Sequence, residues 1–191
     1  VDPKSNTQIA YSLRGIWGSS ADDVWAVGYR GVLVHYDGSE WTVYGQSGKF
    51  GTDIYAIWGS SSQDVWAVGL GDKEILHYNG TSWVQDPAMR FTTAGITSIW
   101  GSDPSDIWAV GQYGELLHYD GINWAIDRQF GGASNAVYLR TVWGTSKKDV
   151  WALGFSSSTA LHYDGSSWIR VSNNIDTGNR PNILMGMWGI S

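Results

Sequence analysis

The chain has 191 residues, of which 42% are hydrophobic and 16% are charged, a balance typical of a folded globular protein. Its net charge of −6 argues against a nucleic-acid partner, because phosphate binding needs concentrated lysine and arginine. The absence of cysteine excludes disulfides and thiolate metal sites, and no apolar run approaches the roughly 18 residues of a membrane-spanning helix. The unusual feature of the composition is its 13 tryptophans and 25 glycines.

A unit of about 42 residues recurs along the chain. Its first mark is the dipeptide Trp-Gly, at spacings of 41, 42, 43 and 45 residues, which begins at Trp17, Trp58, Trp100, Trp143 and Trp188. The first four units continue through Val/Ile-Trp-Ala, His-Tyr and Gly-x-x-Trp, so that all 13 tryptophans and all four histidines share one register. Four-stranded units repeating every 40–45 residues or so are typical of β-propeller blades.

The first unit shows the predicted strands in chain order. Strand A is the apolar stretch Leu13–Gly18, a polar turn covers Ser19–Asp22, and strand B is Asp-Val-Trp-Ala-Val-Gly at 23–28. Strand C covers Val32–Tyr36, and strand D begins at Trp41 after an Asp-Gly dipeptide, which is a strong hairpin signal. Strands B and C are apolar on both faces, as in sheets that are covered on both sides.

The repeat therefore predicts an all-β protein, a β-propeller with four complete four-stranded blades and an extra first strand at the C-terminal end. We expect a single domain over residues 1–191, with blades at about 13–53, 54–95, 96–138 and 139–182 and the extra strand at 183–189. Five A strands against four each of B, C and D do not close a ring, and an unclosed array exposes tryptophan-rich faces. We expect this chain to be part of a larger propeller, or to associate with copies that complete it.

One aspartate and one histidine stand at fixed positions in every complete unit. The aspartates open strand B and the histidines lie near the end of strand C, as Asp23, Asp64, Asp106 and Asp149 with His35, His77, His118 and His162. A residue that every blade has does what every blade needs, so we expect hydrogen bonds between them across each sheet. One histidine per blade argues against a zinc site. The sequence thus predicts no catalytic residue, no metal, no cofactor and no enzyme.

Length varies between units only in the B–C turns and the D–A links, which we expect at the same edge of an up-and-down blade. Variable loops on one face of a repeat array often form the binding face, although drift in exposed loops is the alternative. These segments pair cations with aromatic rings, which suits sugars, unless the phenylalanines only fill space between blades. The predicted ligand-binding residues are Tyr29, Arg30, Lys49, Phe50, Arg90, Phe91, Tyr113, Arg128, Phe130 and Phe155.

The unit Trp-Gly, Asp-Val-Trp-Ala-Val-Gly, Leu-x-His-Tyr, Asp-Gly-x-x-Trp resembles the blades of bacterial propeller-repeat proteins, over residues 13 to about 189. Its layout is similar to that of the tectonins and the fucose-binding propeller lectins. The resemblance implies a lectin-like carbohydrate-binding module at the cell surface or outside the cell. Because the loops differ between blades, a protein–protein interaction scaffold is the alternative. The expected partners are a glycan or a protein and further copies of the chain, with no nucleic acid and no membrane span.

Overall fold

The structure is a computed structural model that describes residues 11–45, 53–70, 75–86, 95–130, 137–154 and 159–171. The prediction of an all-β protein is confirmed in these residues, which form sixteen β-strands and one 3-10 turn, Tyr29–Gly31. The strands make four antiparallel sheets of four strands each, and strands consecutive in the chain are neighbours in the sheet. The described part of the chain has no helix long and apolar enough to cross a membrane. The predicted strand at 183–189 lies outside the described residues.

Each sheet is a blade, and its four strands correspond in order to strands A, B, C and D. Blade 1 consists of β1 (Leu13–Ser20), β2 (Asp23–Gly28), β3 (Leu33–Tyr36) and β4 (Trp41–Gly45). Blade 2 consists of β5 (Ile54–Ser61), β6 (Asp64–Gly69), β7 (Ile75–Tyr78) and β8 (Trp83–Gln85). Blade 3 consists of β9 (Ile96–Asp103), β10 (Asp106–Gly111), β11 (Glu115–Tyr119) and β12 (Trp124–Gln129). Blade 4 consists of β13 (Leu139–Ser146), β14 (Asp149–Gly154), β15 (Ala160–Tyr163) and β16 (Trp168–Arg170).

Strand A is two residues longer than the sequence predicts. The turn predicted at Ser19–Asp22 is present but shorter, because β1 continues to Ser20, which pairs with Asp23 across an irregularity that follows Gly18. The hydroxyl of Ser19 also donates a hydrogen bond to the carboxylate of Asp23, which holds the end of the strand beside the start of β2.

The chain divides by its internal contacts into two compact units, Val1–Arg90 with blades 1 and 2, and Phe91–Ser191 with blades 3 and 4. Each unit has a hydrophobic core where its two blades meet. In the first unit the core includes Trp25, Val27 and Leu33 of blade 1 together with Ile54 and Ile57 of blade 2. That the four blades form one domain stays a prediction.

The core of the second unit uses the same positions of the repeat. Trp108, Val110 and Leu116 of blade 3 pack with Leu139 and Val142 of blade 4. All six residues of β10 are buried, as expected for a strand that is apolar on both faces. The sequence of strands B and C therefore sets how one blade packs on the next.

The Trp-Gly dipeptide also packs one blade against the next. A Cβ atom added to Gly59 of blade 2 would lie 2.7 Å from the indole of Trp17 in blade 1. In the second unit a Cβ on Gly144 would lie 2.8 Å from the indole of Trp100. No larger side chain fits at these close-packed contacts. Tryptophan and glycine recur together because the indole of one blade occupies the space that the next blade's glycine leaves open.

Candidate functional site

The predicted hydrogen bond between aspartate and histidine is present in all four sheets. The Nε2–Oδ1 distances are 2.5, 2.7, 2.7 and 2.8 Å for His35–Asp23, His77–Asp64, His118–Asp106 and His162–Asp149. The other carboxylate oxygen accepts a hydrogen bond from a hydroxyl at the end of strand A, from Ser19, Ser60, Ser102 and Thr145. Each histidine ring stacks on the second tryptophan of its blade, with centroids 3.9 to 4.3 Å apart.

In blades 2 and 4 these contacts favour the charged form of the carboxylate, in Asp64 and Asp149. Burial alone would raise the pKa of Asp64, but the hydrogen bonds from His77 and Ser60 hold that pKa below its usual value. In blade 4 the hydrogen bonds from Thr145 and His162 lower the pKa of Asp149. Both carboxylates are therefore ionised at neutral pH and act as acceptors that join strands A, B and C.

The order of the groups does not match nucleophilic catalysis. In a serine-hydrolase triad the histidine lies between the hydroxyl and the carboxylate, so that it can accept the hydroxyl proton. Here the carboxylate of Asp64 lies between the hydroxyl of Ser60 and the imidazole of His77. The hydroxyl donates to an acid that is already stabilised as an anion, which does not activate the serine.

Glu115, at the start of β11, is the other buried acid of interest. It is 3% exposed, its Oε2 has no hydrogen-bond partner, and burial raises its pKa. A Cβ on Gly111 would lie 2.5 Å from that oxygen, so the carboxyl occupies space that this glycine provides. Within the described ranges no three histidine, aspartate or glutamate side chains group to hold a metal ion. Glu115 is thus a buried acid with one oxygen that has no partner, and it belongs to no metal-binding group of the described residues.

In each sheet the ends of strands B and D lie at the same edge as the starts of strands A and C, and we call this the loop edge. In blade 1, Leu13 at the start of β1 pairs with Gly28, and Leu33 pairs with Gly45 at the end of β4. Five predicted site residues are described and lie at or close to this edge, namely Tyr29, Arg30, Tyr113, Arg128 and Phe130. The other five lie outside the described residues, namely Lys49, Phe50, Arg90, Phe91 and Phe155.

At the loop edge of the first unit the ring of Tyr29 contacts an arginine of strand A. The guanidinium of Arg14 lies 4.7 Å from the ring centroid of Tyr29 and 4.7 Å from that of Tyr55. Arg14 also donates a hydrogen bond to the Tyr29 hydroxyl. The cation is thus held between two rings from neighbouring blades, an arrangement that stabilises both.

Arg30 lies beside this cluster in an uncommon backbone conformation. Its φ of 56° is in the left-handed region, which non-glycine residues rarely adopt. The backbone N–H of Arg30 donates to Asp53 Oδ1 at 3.0 Å, and its guanidinium lies 5.2 Å from the ring centroid of Tyr11. These contacts hold the exposed side chain at the loop edge despite the conformational cost.

In the second unit, Arg128 and Phe130 form contacts within the protein. The guanidinium of Arg128 lies 5.2 Å from the Phe130 ring centroid, and Nη1 donates to the carbonyl oxygen of Trp168 at 3.0 Å. Phe130 packs against the core between blades 3 and 4. Both side chains therefore join the two blades. For Phe130 this agrees with the interpretation that the phenylalanines fill space between blades.

Tyr113 is different, because its ring is exposed beside a second exposed ring. Tyr113 on the B–C turn of blade 3 is 43% exposed, and Tyr138, just before β13 of blade 4, is 46% exposed. Their ring centroids lie 6.2 Å apart with 49° between the planes. The two tyrosines form an open aromatic surface at the loop edge.

Backbone hydrogen bonds hold the Tyr113 turn on both sides of that residue. The N–H of Gln112 donates to the carbonyl of Gly95 at 3.1 Å, and the N–H of Phe130 donates to the carbonyl of Gly114 at 2.8 Å. Gly114 has a φ of 76°, and a Cβ there would collide with the backbone of Phe130. The backbone of the turn is therefore held by the residue before strand A and by the residue after strand D.

Tyr138 is positioned by the strand that follows it. The hydroxyl of Thr97 in β9 donates to the carbonyl of Leu139 at 2.8 Å, and Leu139 itself is fully buried. Ser98 accepts a hydrogen bond from the N–H of Val142 at 3.2 Å. Strands A of blades 3 and 4 are thus tied together at Leu139, the residue that follows Tyr138, and again at Val142.

Sequence reasoning missed Arg14, Tyr55 and Tyr138. A signal exists for the first two, because the third residue before each Trp-Gly changes chemical type within an otherwise conserved strand, as Arg14, Tyr55, Thr97 and Arg140. Tyr138 gives no comparable signal, because its position lies before strand A, where variation between units is ordinary, as Ser12, Asp53, Gly95 and Tyr138. Its importance follows from its distance to Tyr113, which only the structure provides.

The opposite edge of the second unit carries a cleft of about 510 Å³ between the A strands of blades 3 and 4. Trp100 and Trp143 line it, and Asp103 and Lys147 form an ion pair of 2.5 Å there. The hydrogen bond from Lys147 lowers the pKa of Asp103 to about 2. The cleft lies at the ends of strands A, next to the A–B turns. These turns have the same length in every unit, so variation in loop length does not indicate the cleft.

No family model matches the sequence, and no curated protein matches it. Solved structures do match. YCF48 from Cyanidioschyzon merolae superposes with a TM-score of 0.57 at 17% identity, over 78% of this chain and 50% of that one. The streptogramin B lyase structure superposes with a TM-score of 0.67 at 14% identity, over 90% of this chain and 58% of the lyase chain. An ancestral GH74 enzyme superposes with a TM-score of 0.69 at 12% identity, over 87% of this chain and 25% of the enzyme chain.

These neighbours are β-propeller proteins, and the four blades described above have the same architecture, so the predicted β-propeller fold is confirmed. At such low identities the likeness concerns the fold. The neighbours include enzymes, and one fold supports many functions. This chain spans about half the length of the first solved structures that it matches, 44%, 55% and 50% of them.

Proposed function

We propose that this chain is a non-catalytic binding module that takes a carbohydrate at the loop edge of its second unit. The observation that carries the proposal is the exposed pair of rings, Tyr113 and Tyr138, 6.2 Å apart. A tyrosine ring offers an apolar face on which the C–H face of a sugar stacks, and a hydroxyl that can bond to the sugar's own hydroxyls.

The fixed backbone around the rings supports this proposal. The hydrogen bonds of Gln112 and Phe130 hold the Tyr113 turn, and Thr97 ties the strand that follows Tyr138. A surface that is ordered before binding loses less conformational entropy when the ligand arrives. A shallow site with two rings can therefore bind a weakly interacting ligand such as a sugar.

The repeated polar groups support a role without catalysis. In blade 2, Asp64, Ser60 and His77 bond to one another, in an order that does not activate the hydroxyl. The same arrangement recurs in the other three blades, where it serves each sheet rather than one site. The candidate site of the proposal consists instead of residues that do not repeat.

A glycan array, followed by calorimetric titration of the best ligand, tests the proposal. Tyr113→Ala and Tyr138→Ala should each weaken binding by about tenfold, equivalent to about 1.4 kcal/mol, because each removes one stacking face. Ile122→Ala is the matched control, since Ile122 is 80% exposed on the C–D hairpin of blade 3 and also loses apolar surface. Binding to no glycan, or equal affinity of both tyrosine variants and the wild type, would contradict the proposal.

The second candidate is a protein-interaction scaffold, which the difference between the two loop edges favours. The first unit presents arginines with tyrosines, as Arg14 with Tyr29 and Tyr55, whereas the second presents two open rings. Multivalent glycan binding favours like sites, and unlike sites suit one larger ligand. A partner protein recovered by affinity capture, and lost with Arg30→Ala but not with Ile122→Ala, would favour this candidate over the lectin.

A further inference from the structure

An apolar face of blade 1 is exposed at positions that are buried in the other blades. Leu13 is 46% exposed and Ile16 is 70% exposed. The equivalent residues, four and one positions before Trp-Gly, are at most 8% exposed in the later blades, namely Ile54, Ile57, Ile96, Ile99, Leu139 and Val142. The same residue types at the same strand positions are thus covered in three blades and uncovered in one.

Val24 of β2 follows the same trend. It is half-buried, while its equivalents are fully buried, namely Val65, Ile107 and Val150. We call Leu13, Ile16 and Val24 the leading face of blade 1. Large exposed apolar side chains that adjoin one another mark interaction sites more often than isolated ones do.

Each two-blade unit shows what covers a leading face. In the first unit Trp25, Val27 and Leu33 of blade 1 pack in one cluster with Ile54 and Ile57, two leading-face residues of blade 2. We call the positions of Trp25, Val27 and Leu33 the trailing face of a blade.

The second unit repeats the arrangement with the trailing face of blade 3, which is Trp108, Val110 and Leu116. These residues pack with Leu139 and Val142 on the leading face of blade 4. Leading and trailing faces are therefore complementary surfaces, and both units use them in the same way.

Blade 4 carries a trailing face that is less covered than its equivalents. Trp151 and Leu153 are half-buried, whereas Trp25 and Trp108 are 1% exposed and the residues equivalent to Leu153, Val27 and Val110, are fully buried. One chain thus has a leading face and a trailing face that are both more exposed than the same positions elsewhere.

We infer that the leading face of blade 1 binds the trailing face of blade 4 in a second copy of this chain. The contact continues the blade-on-blade packing of each unit with apolar residues at the same positions, and Ala160 stands in blade 4 where blade 3 has Leu116. Because the two faces differ, the contact is heterologous, and each copy can bind one neighbour through each face. This inference goes beyond carbohydrate binding and uses different residues.

Sedimentation velocity of the full chain over a wide range of concentration tests the inference. We expect a concentration-dependent dimer or larger species. Ile16→Lys places a charge in an apolar contact and should weaken association by at least about tenfold. Ile122→Lys is the matched control, since Ile122 is 80% exposed on a hairpin of blade 3, and this variant should associate like the wild type.

A mixing experiment tests which surfaces meet. Leu153→Lys should also lower association, and an equimolar mixture of the Leu153→Lys and Ile16→Lys variants should form a heterodimer, because each retains the face that the other lacks. Thermal unfolding shows first that each variant is folded. A mixture that associates no better than either variant alone would overturn the inference.

Engineered cysteines give a second readout that does not depend on the lysine variants. The chain has no cysteine, so a disulfide between an Ile16→Cys copy and a Leu153→Cys copy reports this contact alone. Their equivalents Ile57 and Val27 lie in one cluster of the first unit. The mixed disulfide should exceed both homodimers. A wild-type monomer at every concentration, or no excess of the mixed disulfide, would overturn the inference and leave glycan binding by Tyr113 untouched.

Discussion

At the residue scale, one carboxylate per blade joins three strands. Asp64 accepts hydrogen bonds from Ser60 at the end of β5, from Trp66 in β6 and from His77 in β7. A partly buried carboxylate needs such partners, because an unpaired charge away from water is costly. The physical requirement is the same in each sheet, which explains why aspartate, histidine and a hydroxyl residue recur together.

We expect Asp64→Asn to lower the free energy of unfolding by about 1–3 kcal/mol, because the amide nitrogen cannot accept the hydrogen bond that one carboxylate oxygen accepts. Urea unfolding followed by tryptophan fluorescence measures the change. Gln63→Ala is the control, since this exposed neighbour has no role in the network. Equal unfolding midpoints for Asp64→Asn and the wild type would contradict a stabilising role for this carboxylate.

At the element scale, strand A carries the contact between successive blades. The indole of Trp17 in β1 lies against Gly59 in β5, and the indole of Trp100 in β9 lies against Gly144 in β13. Because the contact joins the equivalent strands of two blades, its geometry repeats whenever Trp-Gly repeats. The dipeptide therefore acts through packing between elements, not through the conformation of the glycine.

We expect Gly59→Ala and Gly144→Ala to destabilise the protein by about 1–3 kcal/mol each, because the new methyl group overlaps the indole and forces the blades apart. Thermal and urea unfolding measure the loss. Ser62→Ala is the control, an exposed small residue in the turn after β5. If the glycine variants unfold at the same midpoint as Ser62→Ala, the close contact with the indole is not a constraint.

At the scale of the whole molecule, every blade has an aspartate whose pKa is lower in the folded protein than in an unfolded chain. The pKa of Asp37 is lowered to about 2 by hydrogen bonds from the backbone of Glu40 and from Ser39, and the pKa of Asp164 is lowered to about 2 by bonds from Ser166 and the backbone of Ser167. Asp103 also has a pKa of about 2, beside Lys147. With Asp64 and Asp149 these groups span all four blades.

Stability should therefore fall in acid. An aspartate in the unfolded chain has a pKa of about 3.9. Between about pH 4 and pH 2 the unfolded chain therefore binds protons that the native chain does not. The stabilisation is present above about pH 4 and is lost as the pH falls through the folded pKa values. We expect a lower thermal unfolding midpoint at about pH 2 than at about pH 5.

Glu115 affects the pH dependence of stability in the direction opposite to the aspartates. Its pKa is raised by burial, so its favourable contribution is present at low pH and is lost as the pH rises through its folded pKa. Glu115→Gln should therefore remove this loss of stability at neutral pH and leave the loss of stability in acid unchanged.

For the aspartates, a thermal unfolding midpoint of the wild type that stays constant from about pH 5 to pH 2 would contradict the lowered pKa values.

The sequence by itself determined the blades. The fixed spacing of Trp-Gly, Asp-Val-Trp-Ala, His-Tyr and Gly-x-x-Trp specified four strands per unit and the contact between Asp23 and His35, because local strand pairing and hairpin chemistry depend on residues close in the chain. The strand ends were less certain, since the bond of Ser19 to Asp23 extends β1 beyond its apolar stretch.

Only the tertiary structure decided which side chains are available for binding. Phe130 and Tyr113 are both aromatic residues at the loop edge, yet the first packs on the core and the second is exposed beside Tyr138. Ile16 and Ile57 occupy the same place in the repeat, yet one is exposed and the other is buried. Exposure depends on whether another blade covers the position, and the order of residues within one unit does not record that.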